Sequence, residues 1–348
     1  MPATALKTVQ LSSAEGTWGS TGVATRKLSG VTDASLRVLD AVEVVPSLGW
    51  MGPGPNAAEV AQSGEGTISM VLSYEELTYL LNGVFTAIGA STSTTGVPPT
   101  ASAPPYNYPY LAPTTSTQSV YTYTMEYGTT GATYRAPGSV VKSLSIKGEA
   151  AGLWSATVNT VCKQIVASTS GLSTGLTAAT VNPIRMADTS LYIDTFTSTA
   201  AGGSAASATL IAFDLNLETN RHTKTFAGAL IPGSWGDGRM EGTLKLTAEF
   251  NASAKALVDE LLGSTGAAVK RLIRIGATQG SSASVKAANL DFAGIKVDGE
   301  TLFSDRDGNM TVELAFQGLY SSGLGGIYST GNGGWFVANV QNGSSSTT

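Results

Sequence analysis

The chain has 348 residues, enough for two domains of ordinary size with a core each. Its hydrophobic share of 42% is that of a globular protein, and a charged share of only 13% excludes the charge-rich composition of disordered chains. The net charge of −5 and the lack of any Lys/Arg run argue against a groove that grips nucleic acid. A surface poor in charge favours contact with other protein, although a plain Ser/Thr-rich surface explains the same number.

The sequence also limits where the protein can be located and which cysteine chemistry it can carry out. No stretch approaches the ~20 apolar residues of a membrane span, and the opening MPATALKTVQ lacks the apolar core of a signal peptide. We therefore expect a protein assembled in the cytoplasm. The single cysteine, Cys162, excludes an intrachain disulfide, and its alternating context SATVNTVC predicts a small buried side chain.

Strand patterns dominate the chain, with alternating, β-branched or aromatic segments bounded by Gly, Pro, Asn or Asp. Repeated short strands with turn signals between them predict a mainly β fold, a sandwich or a barrel. The predicted strands are SLRVLDAVEVV, GTISMVLS, VYTYTMEYG, VVKSLSIKG, WSATVNTV, ATLIAFDLNLE, GTLKLTAEF, RLIRIGA, ANLDFAGIKV and NMTVELAF.

Two segments have helical spacing of their apolar residues. YEELTYLLNGVF is preceded by Ser73 as a candidate N-cap, and ASAKALVDELL is preceded by Asn251. Their apolar stripes predict one amphipathic helix on each sheet, formed by Leu77, Leu80, Leu81, Val84 and Phe85 in the first and by Ala254, Leu257, Val258, Leu261 and Leu262 in the second.

The chain repeats itself. LRVLD at 36–40 is echoed by LIAFD at 210–214, an offset of 174, and EGT at 65–67 by EGT at 241–243, an offset of 176. TMEYG, ending at Gly128, answers LIRIG, ending at Gly276, and the order of the pieces is kept. Two structural copies in one chain favour symmetric assembly over a single cleft.

The loops distinguish the two copies and set the predicted boundaries. A Pro-rich insert at about 89–119 carries Tyr106, Tyr108 and Tyr110, which predict an ordered arm that contacts another subunit, the alternative being a flexible linker. Residues 167–209 form a Ser/Thr/Ala/Gly-rich link around a predicted hairpin, NPIRMADTSLYIDTF. We predict a first module at 1–166, a second at 167–320, and a Gly/Ser-rich tail at 321–348. The tail has one apolar segment, Trp335-Phe336-Val337, and its last residues, GSSSTT, are expected to fray.

No constellation of residues predicts an enzyme. The one histidine, His222, lies in a loop, the nucleophile motif GxSxG and the P-loop are absent, and one His with one Cys cannot supply a zinc site. DRDGN at 305–309 resembles part of a calcium loop, but the twelfth position is Phe316, so a hairpin turn is favoured. We therefore predict no catalytic residue, no metal and no cofactor.

Two segments carry a resemblance to a known family. PGSVVKSLSIKGEAAGLWSATVNTVCK, and ATLIAFDLNLETN followed by EGTLKLTAEF, resemble the phage tail tube family, the major tail proteins of long-tailed siphophages. The resemblance covers most of residues 36–320. It implies a duplicated tube module, each copy being two antiparallel sheets in a sandwich or partial barrel flanked by one helix, with extended loops or arms.

The resemblance also implies a function. In most relatives six single-module chains form a ring, so two modules per chain imply a homotrimeric ring with pseudo-sixfold symmetry. Such rings stack into a virion tail tube, assembled in the host cytoplasm, through which DNA passes without specific binding. The implied partners are further copies of the chain and the tape-measure, tail-terminator and distal-tail proteins, with no membrane.

Acidic residues that line such a channel would let DNA slide, and Asp40 and Asp214 are quasi-equivalent candidates for the channel wall. Alternation alone leaves open which strand face looks inward. Three alternatives remain open here: the inner tube of a contractile injection device, a carbohydrate-binding or hydrolytic β-sandwich, and a trimeric capsid decoration or adhesin subunit.

Overall fold

A computed structural model gives the fold of the chain. It describes residues 7–45, 51–52, 54, 56–85, 106–115, 119–129, 131–169, 171–178, 180–198, 201–203, 210–252, 254–255, 258–259, 269–280, 285–297, 301–306, 308–324 and 333–343.

Nineteen strands lie in these described ranges, and one helix, α1, has defined bounds at Leu77–Val84. The strands of the first half are β1 Thr8–Ser12, β2 Ala24–Lys27, β3 Val31–Val45, β4 Asn56–Val71, β5 Tyr106–Leu111, β6 Tyr123–Thr129, β7 Ala132–Glu149, β8 Ser155–Cys162 and β9 Val166–Ala167. Those of the second half are β10 Thr189–Thr195, β11 Leu210–Glu218, β12 His222–Lys224, β13 Ser234–Gly236, β14 Glu241–Glu249, β15 Lys270–Gln279, β16 Lys286–Lys296, β17 Thr301–Arg306, β18 Asn309–Gly318 and β19 Phe336–Asn342.

The two halves pair their strands in the same order. In the first half, antiparallel pairing runs β3–β4–β8–β7–β6–β1. In the second half, β11 pairs with β14, and β14 pairs with β18. β18 pairs with both β17 and β16, β16 pairs with β15, and β15 pairs with β10. The long strand β7 therefore corresponds to β16 and β17 together.

The halves meet along one strand pair. β11 pairs antiparallel with the second part of β7, Asp214 opposite Lys147 and Leu215 opposite Ile146. This pairing makes one continuous sheet of eight strands, β3-β4-β8-β7-β11-β14-β18-β17, which we call the eight-strand sheet. β7–β11 is its junction.

One face of the eight-strand sheet is apolar and covers the core. Ile68, Val158, Leu144, Leu215 and Leu246 lie on it in successive strands, and each is at most 4% exposed. The main buried cluster contains side chains from both halves, so the two halves share a core. Two smaller clusters lie within one half each.

Both helix starts follow the predicted capping. Ser73 Oγ accepts a hydrogen bond from the Glu76 N–H at 3.1 Å, and Asn251 Oδ1 accepts one from the Ala254 N–H at 3.0 Å. The apolar stripe of α1 is buried as predicted. The second helix is described only at residues 252, 254–255 and 258–259, which are helical, and the rest of its predicted stripe lies outside the described residues.

The caps also correct the internal alignment. Ser73 and Asn251 are 178 residues apart, so strands β4 and β14 correspond with that offset and not with 176. The pairings of β4 with β3 and of β14 with β11 then match Ser35 with Asp214. Asp40 and Asp214 are therefore not equivalent positions.

All ten predicted strands are present, the hairpin predicted between the modules is not formed, and the structure defines two further segments. The predicted hairpin at 182–196 contains a three-residue 3₁₀ helix and a single strand, β10, which pairs with β15. The predicted tail contains β19, a buried strand between β16 and β5, while its last five residues lie outside the described ranges. The tyrosine segment of the Pro-rich insert is strand β5, and residues 89–105 and 116–118 of that insert lie outside the described ranges.

Candidate assembly surface

The face of the eight-strand sheet opposite the core is hydrophilic. Because side chains alternate along each strand, the residues between the core positions all lie on this second face, the polar face. It carries Asp33, Ser35 and Arg37 on β3, Glu65, Thr67 and Ser69 on β4, Ser143, Ser145, Lys147 and Glu149 on β7, Ser155, Thr157 and Asn159 on β8, Asp214, Asn216 and Glu218 on β11, Glu241, Thr243, Lys245, Thr247 and Glu249 on β14, and Glu313 and Gln317 on β18.

Acidic side chains outnumber basic ones on the polar face. The eight carboxylates and three cations of that set leave an excess of five, which falls to four when Lys142 is counted. Lys142 reaches Glu65 from a bulge in β7, with 3.9 Å between Nζ and Oε1. Exposed ion pairs of this kind contribute at most about 1 kcal/mol each, so the pattern matters for the potential of the surface more than for stability.

Asp214 lies at the centre of the polar face, on the junction between the halves. Its Oδ2 is 2.9 Å from Lys147 Nζ, and its Oδ1 accepts a hydrogen bond from Ser145 Oγ at 3.4 Å. A concavity of about 740 Å³ lies over this point, lined by Lys147, Asp214, Lys245 and Glu313 among others. The polar face is therefore recessed at the junction.

Asp40 lies elsewhere. The register of β3 with β4 is uninterrupted from Asp33 to Ala41, so Asp40 points to the same side as Leu36, which is the core side. At Asp40, however, the β3–β4 ladder has run past its neighbour β8, which ends opposite Gly64. The carboxylate is consequently exposed on a projecting hairpin and not on the polar face.

This projecting hairpin comprises residues 38–45 of β3 and 56–62 of β4. It exposes four of its valines on β3: Val38, Val42, Val44 and Val45. Its base is held by the second half, because the Gln62 N–H donates to the Leu230 carbonyl at 2.8 Å. The second half has no matching projection in the described residues, since the chain after β11 turns into the small β12–β13 hairpin.

The three tyrosines predicted to form an inter-subunit arm lie within the chain's own fold. β5 pairs with β19, placing Tyr108 opposite Val340 and Tyr110 opposite Ala338. Tyr108 is 3% exposed and Tyr110 is fully buried, while Tyr106 is partly buried against the same cluster. These two buried rings are not available to a neighbouring subunit, nor can they form the exposed aromatic platform that a glycan-binding sandwich needs.

The histidine, the aspartate of DRDGN and the cysteine lie on three different strands. His222 is exposed on β12, and Asp305 Oδ1 accepts the Gly308 N–H at 2.8 Å in the β17–β18 turn, as predicted for a hairpin. Cys162 is buried, and burial raises the pKa of its thiol to about 12. Among the described residues, no three His, Cys, Asp or Glu side chains are grouped so as to hold a metal ion.

The family of the chain follows from comparison with known proteins. The model of the phage tail tube protein family matches residues 5–318, which is nearly the whole chain. The chain belongs to the phage tail tube protein family. A search of curated proteins returns no significant match.

Membership gives the coarse function of this tail tube protein. It is a structural protein of the phage tail that assembles with copies of itself into a tube. The mainly β fold agrees with the expectation from the resemblance. None of the helical segments that the structure describes is both long and apolar enough to cross a bilayer.

Sequence reasoning named Asp214 but missed the surface around it. Lys147, Lys245 and Glu313 come together with Asp214 only because β7, β11, β14 and β18 are neighbours. The available signal was the alternation of each strand, which separates polar from apolar faces but does not order the strands in a sheet.

Proposed function

We propose that the chain forms homotrimeric rings with pseudo-sixfold symmetry, and that these rings stack into the tube of a long-tailed phage and conduct DNA. The observation that carries the proposal is the repeated strand order in the two halves, joined side by side at β7–β11. Because each chain contains two equivalent units, three chains supply the six units of a ring.

The lumen wall in this proposal is the polar face. The sheet's other face covers the core, so only the polar face is free to line a channel. Its carboxylate excess, which includes Asp214, repels the phosphate backbone and so lets DNA slide. Asp40 is not part of this proposed wall, because it points to the opposite side of its strand.

The remaining assignments rest on the resemblance. The tape-measure, tail-terminator and distal-tail proteins are the proposed partners, and assembly takes place in the host cytoplasm before the tail joins the virion. Each module, at about 1–166 and 167–320, supplies one of the six units of a ring, with β19 from the C-terminal stretch paired between β16 and β5.

Negative-stain electron microscopy of the purified protein, concentrated until it associates, tests the proposal. We expect hollow tubes of stacked rings with threefold class averages. Rings with true sixfold symmetry and six chains would contradict the two-units-per-chain arrangement, and trimers that never stack would favour a decoration or adhesin subunit.

A further inference from the structure

Three segments that are far apart in the chain meet just before helix α1. Glu75 lies in the turn that leads into α1, Asn182 lies in the link between the halves, and Lys286 is the first residue of β16. The backbone holds the first two segments together, because the Tyr74 N–H donates to the Asn182 carbonyl at 3.1 Å. β16 is fixed in turn by its pairing with β15 and β19. The fold therefore brings these three side chains to one place.

Glu75 contacts the other two side chains through a single oxygen atom. Its Oε1 accepts hydrogen bonds from Lys286 Nζ at 2.7 Å and from Asn182 Nδ2 at 3.0 Å. Its Oε2 accepts a hydrogen bond from the Asn182 backbone N–H at 2.9 Å, which fixes the orientation of the carboxylate. One carboxylate oxygen thus touches an amine and a carboxamide nitrogen at the same time.

This ion pair is more shielded from water than the other lysine–carboxylate pairs that the structure describes. The side chains of Lys286 and Glu75 are 23% and 15% exposed, whereas those of Lys147 and Asp214 are 57% and 37% exposed. Partial exclusion of water strengthens the interactions of charged groups and removes water as a competing reactant. The surroundings of Glu75 therefore favour chemistry between the two nitrogen-bearing groups that it contacts.

We propose that Lys286 and Asn182 become joined by an isopeptide bond in the folded chain. Lys286 Nζ attacks Asn182 Cγ, the Cγ–Nδ2 bond breaks, and the leaving nitrogen departs as ammonium. Two protons pass from the attacking nitrogen to the leaving nitrogen by way of the Glu75 carboxylate. The lysine ammonium and the carboxamide give one secondary amide and one ammonium ion, so atoms and charge balance without an oxidant or a cofactor.

The position of Glu75 suits the transfer of these protons. A general base has to lie within about 2.6–3.2 Å of the atom whose proton it takes, and Oε1 meets that condition for the nitrogens of both Lys286 and Asn182. Because the fold already holds the nucleophile, the base and the amide together, the reaction does not bear the entropic cost of bringing them into contact.

The bond would connect the link between the halves to the outer strand layer of the second half. It closes a loop that contains strands β10 to β15, and a cross-link over a long loop restricts the unfolded chain. The inference concerns a single chain and does not rest on the proposed ring assembly. Its failure and the failure of the tube assembly are therefore separate results.

Mass spectrometry of the denatured chain tests the proposal. The intact mass is expected to be about 17 Da, one ammonia, below the mass calculated for the same polypeptide without the bond. In a tryptic digest, residues 164–185 are expected to be joined to residues 275–296, because trypsin does not cleave after a lysine whose amine is acylated.

Two variants each remove one participant in the reaction. Lys286→Arg keeps a positive charge beside Glu75 but presents a guanidinium, which remains protonated and does not attack. Glu75→Gln keeps the shape of the side chain without its basic carboxylate. Both are expected to have the full calculated mass, and circular dichroism checks that they are folded. The matched control Lys147→Arg alters the more exposed pair with Asp214 and should keep the mass loss.

Each outcome bears on a different part of the proposal. A wild-type chain that keeps its full mass after prolonged incubation in the folded state would overturn it. A loss of about 18 Da, one water, would place the bond between Lys286 and Glu75 and contradict Asn182 as the acceptor. A mass loss that persists in Lys286→Arg, or disappears in Lys147→Arg, would show that Lys286 is not the nucleophile.

Discussion

Arg221 lies in the loop after β11 and forms hydrogen bonds with the end of helix α1, so it links the two halves. Its guanidinium donates to the carbonyls of Gly83 at 2.7 Å and Val84 at 2.9 Å, and its Nε donates to Asp237 at 2.8 Å. The side chain is 1% exposed, and burial lowers the pKa of the guanidinium while Asp237 opposes that shift. The positive charge also suits the carbonyl end of the helix.

Replacing this side chain tests its contribution to stability. Arg221→Met leaves two helix-terminal carbonyls and Asp237 without their donor, and the free energy of unfolding should fall by about 3 kcal/mol, as for other broken buried ion pairs. Chemical denaturation measures the loss. The control Arg239→Met removes an exposed arginine 3.9 Å from Glu241 and should cost less than about 0.5 kcal/mol. Equal effects of the two variants would contradict the assignment.

Glu76 gives a pH-dependent prediction. The carboxyl is 3% exposed, and its burial raises its pKa above the ordinary 4.5, although the Ser29 N–H donates to it at 2.6 Å. A raised folded-state pKa stabilises the fold below pH 4.5, and that stability is lost as the pH rises through the shifted pKa. The unfolding free energy of the wild type minus that of Glu76→Gln should therefore decrease from pH 4 to pH 7, as followed by urea denaturation. A difference that increases with pH would contradict it.

At the scale of the element, C-terminal strand β19 is part of the core and not an appendage. Phe336 is fully buried and stacks on Phe85 at the end of α1, with ring centroids 5.4 Å apart. Phe336→Ala should lower the unfolding free energy by about 3–5 kcal/mol through cavity formation. Phe226→Ala, at a phenylalanine that is 57% exposed, is the control and should change it little. A Phe336 variant as stable as this control would show that β19 contributes no packing.

The strands that sequence reasoning found and missed differ in pattern. The ten predicted strands alternate clearly, whereas β5 contains Pro109, which removes a backbone donor and is tolerated because β5 lies at a sheet edge. β19 follows a Gly-rich stretch and carries two asparagines, so it does not stand out as a strand. Short strands without alternation gain their structure from their neighbours, which a single sequence does not display.

The internal repeat was visible in the sequence, but its register was not. Shifting a strand by two residues preserves which side chains face the core, so the EGT match at 176 fits nearly as well as the offset of 178 set by Ser73 and Asn251. For β3 and β11 the sequence match was 174, whereas pairing gives 179, the separation of Ser35 and Asp214. Because that difference is odd, the sequence match of LRVLD with LIAFD pairs residues that point to opposite faces of the sheet, as Asp40 and Asp214 do.

At the scale of the whole molecule, the proposal that the polar face lines the channel predicts that the sign of its charge sets how strongly the tube retains DNA. Its excess of four carboxylates, with Lys142 counted, becomes an excess of two cations when Asp214, Glu218 and Glu313 are all changed to lysine. Clustered lysines bind phosphates by releasing counterions, with a log–log salt slope of about −0.9 per phosphate contact. If the face lines the lumen, tubes of this variant assembled with short duplex DNA should retain DNA that nuclease cannot reach, and high salt should release it.

The projecting hairpin supplies the matched control for this experiment. Asp40→Lys, Glu43→Lys and Glu59→Lys make the same change in net charge on exposed residues of β3 and β4. DNA bound there lies outside the proposed channel and should remain open to nuclease, while wild-type tubes should retain none. Protection confined to the polar-face variant would place that face in the lumen. Equal protection in both variants, or digestion in both, would contradict the assignment of the polar face as the channel wall.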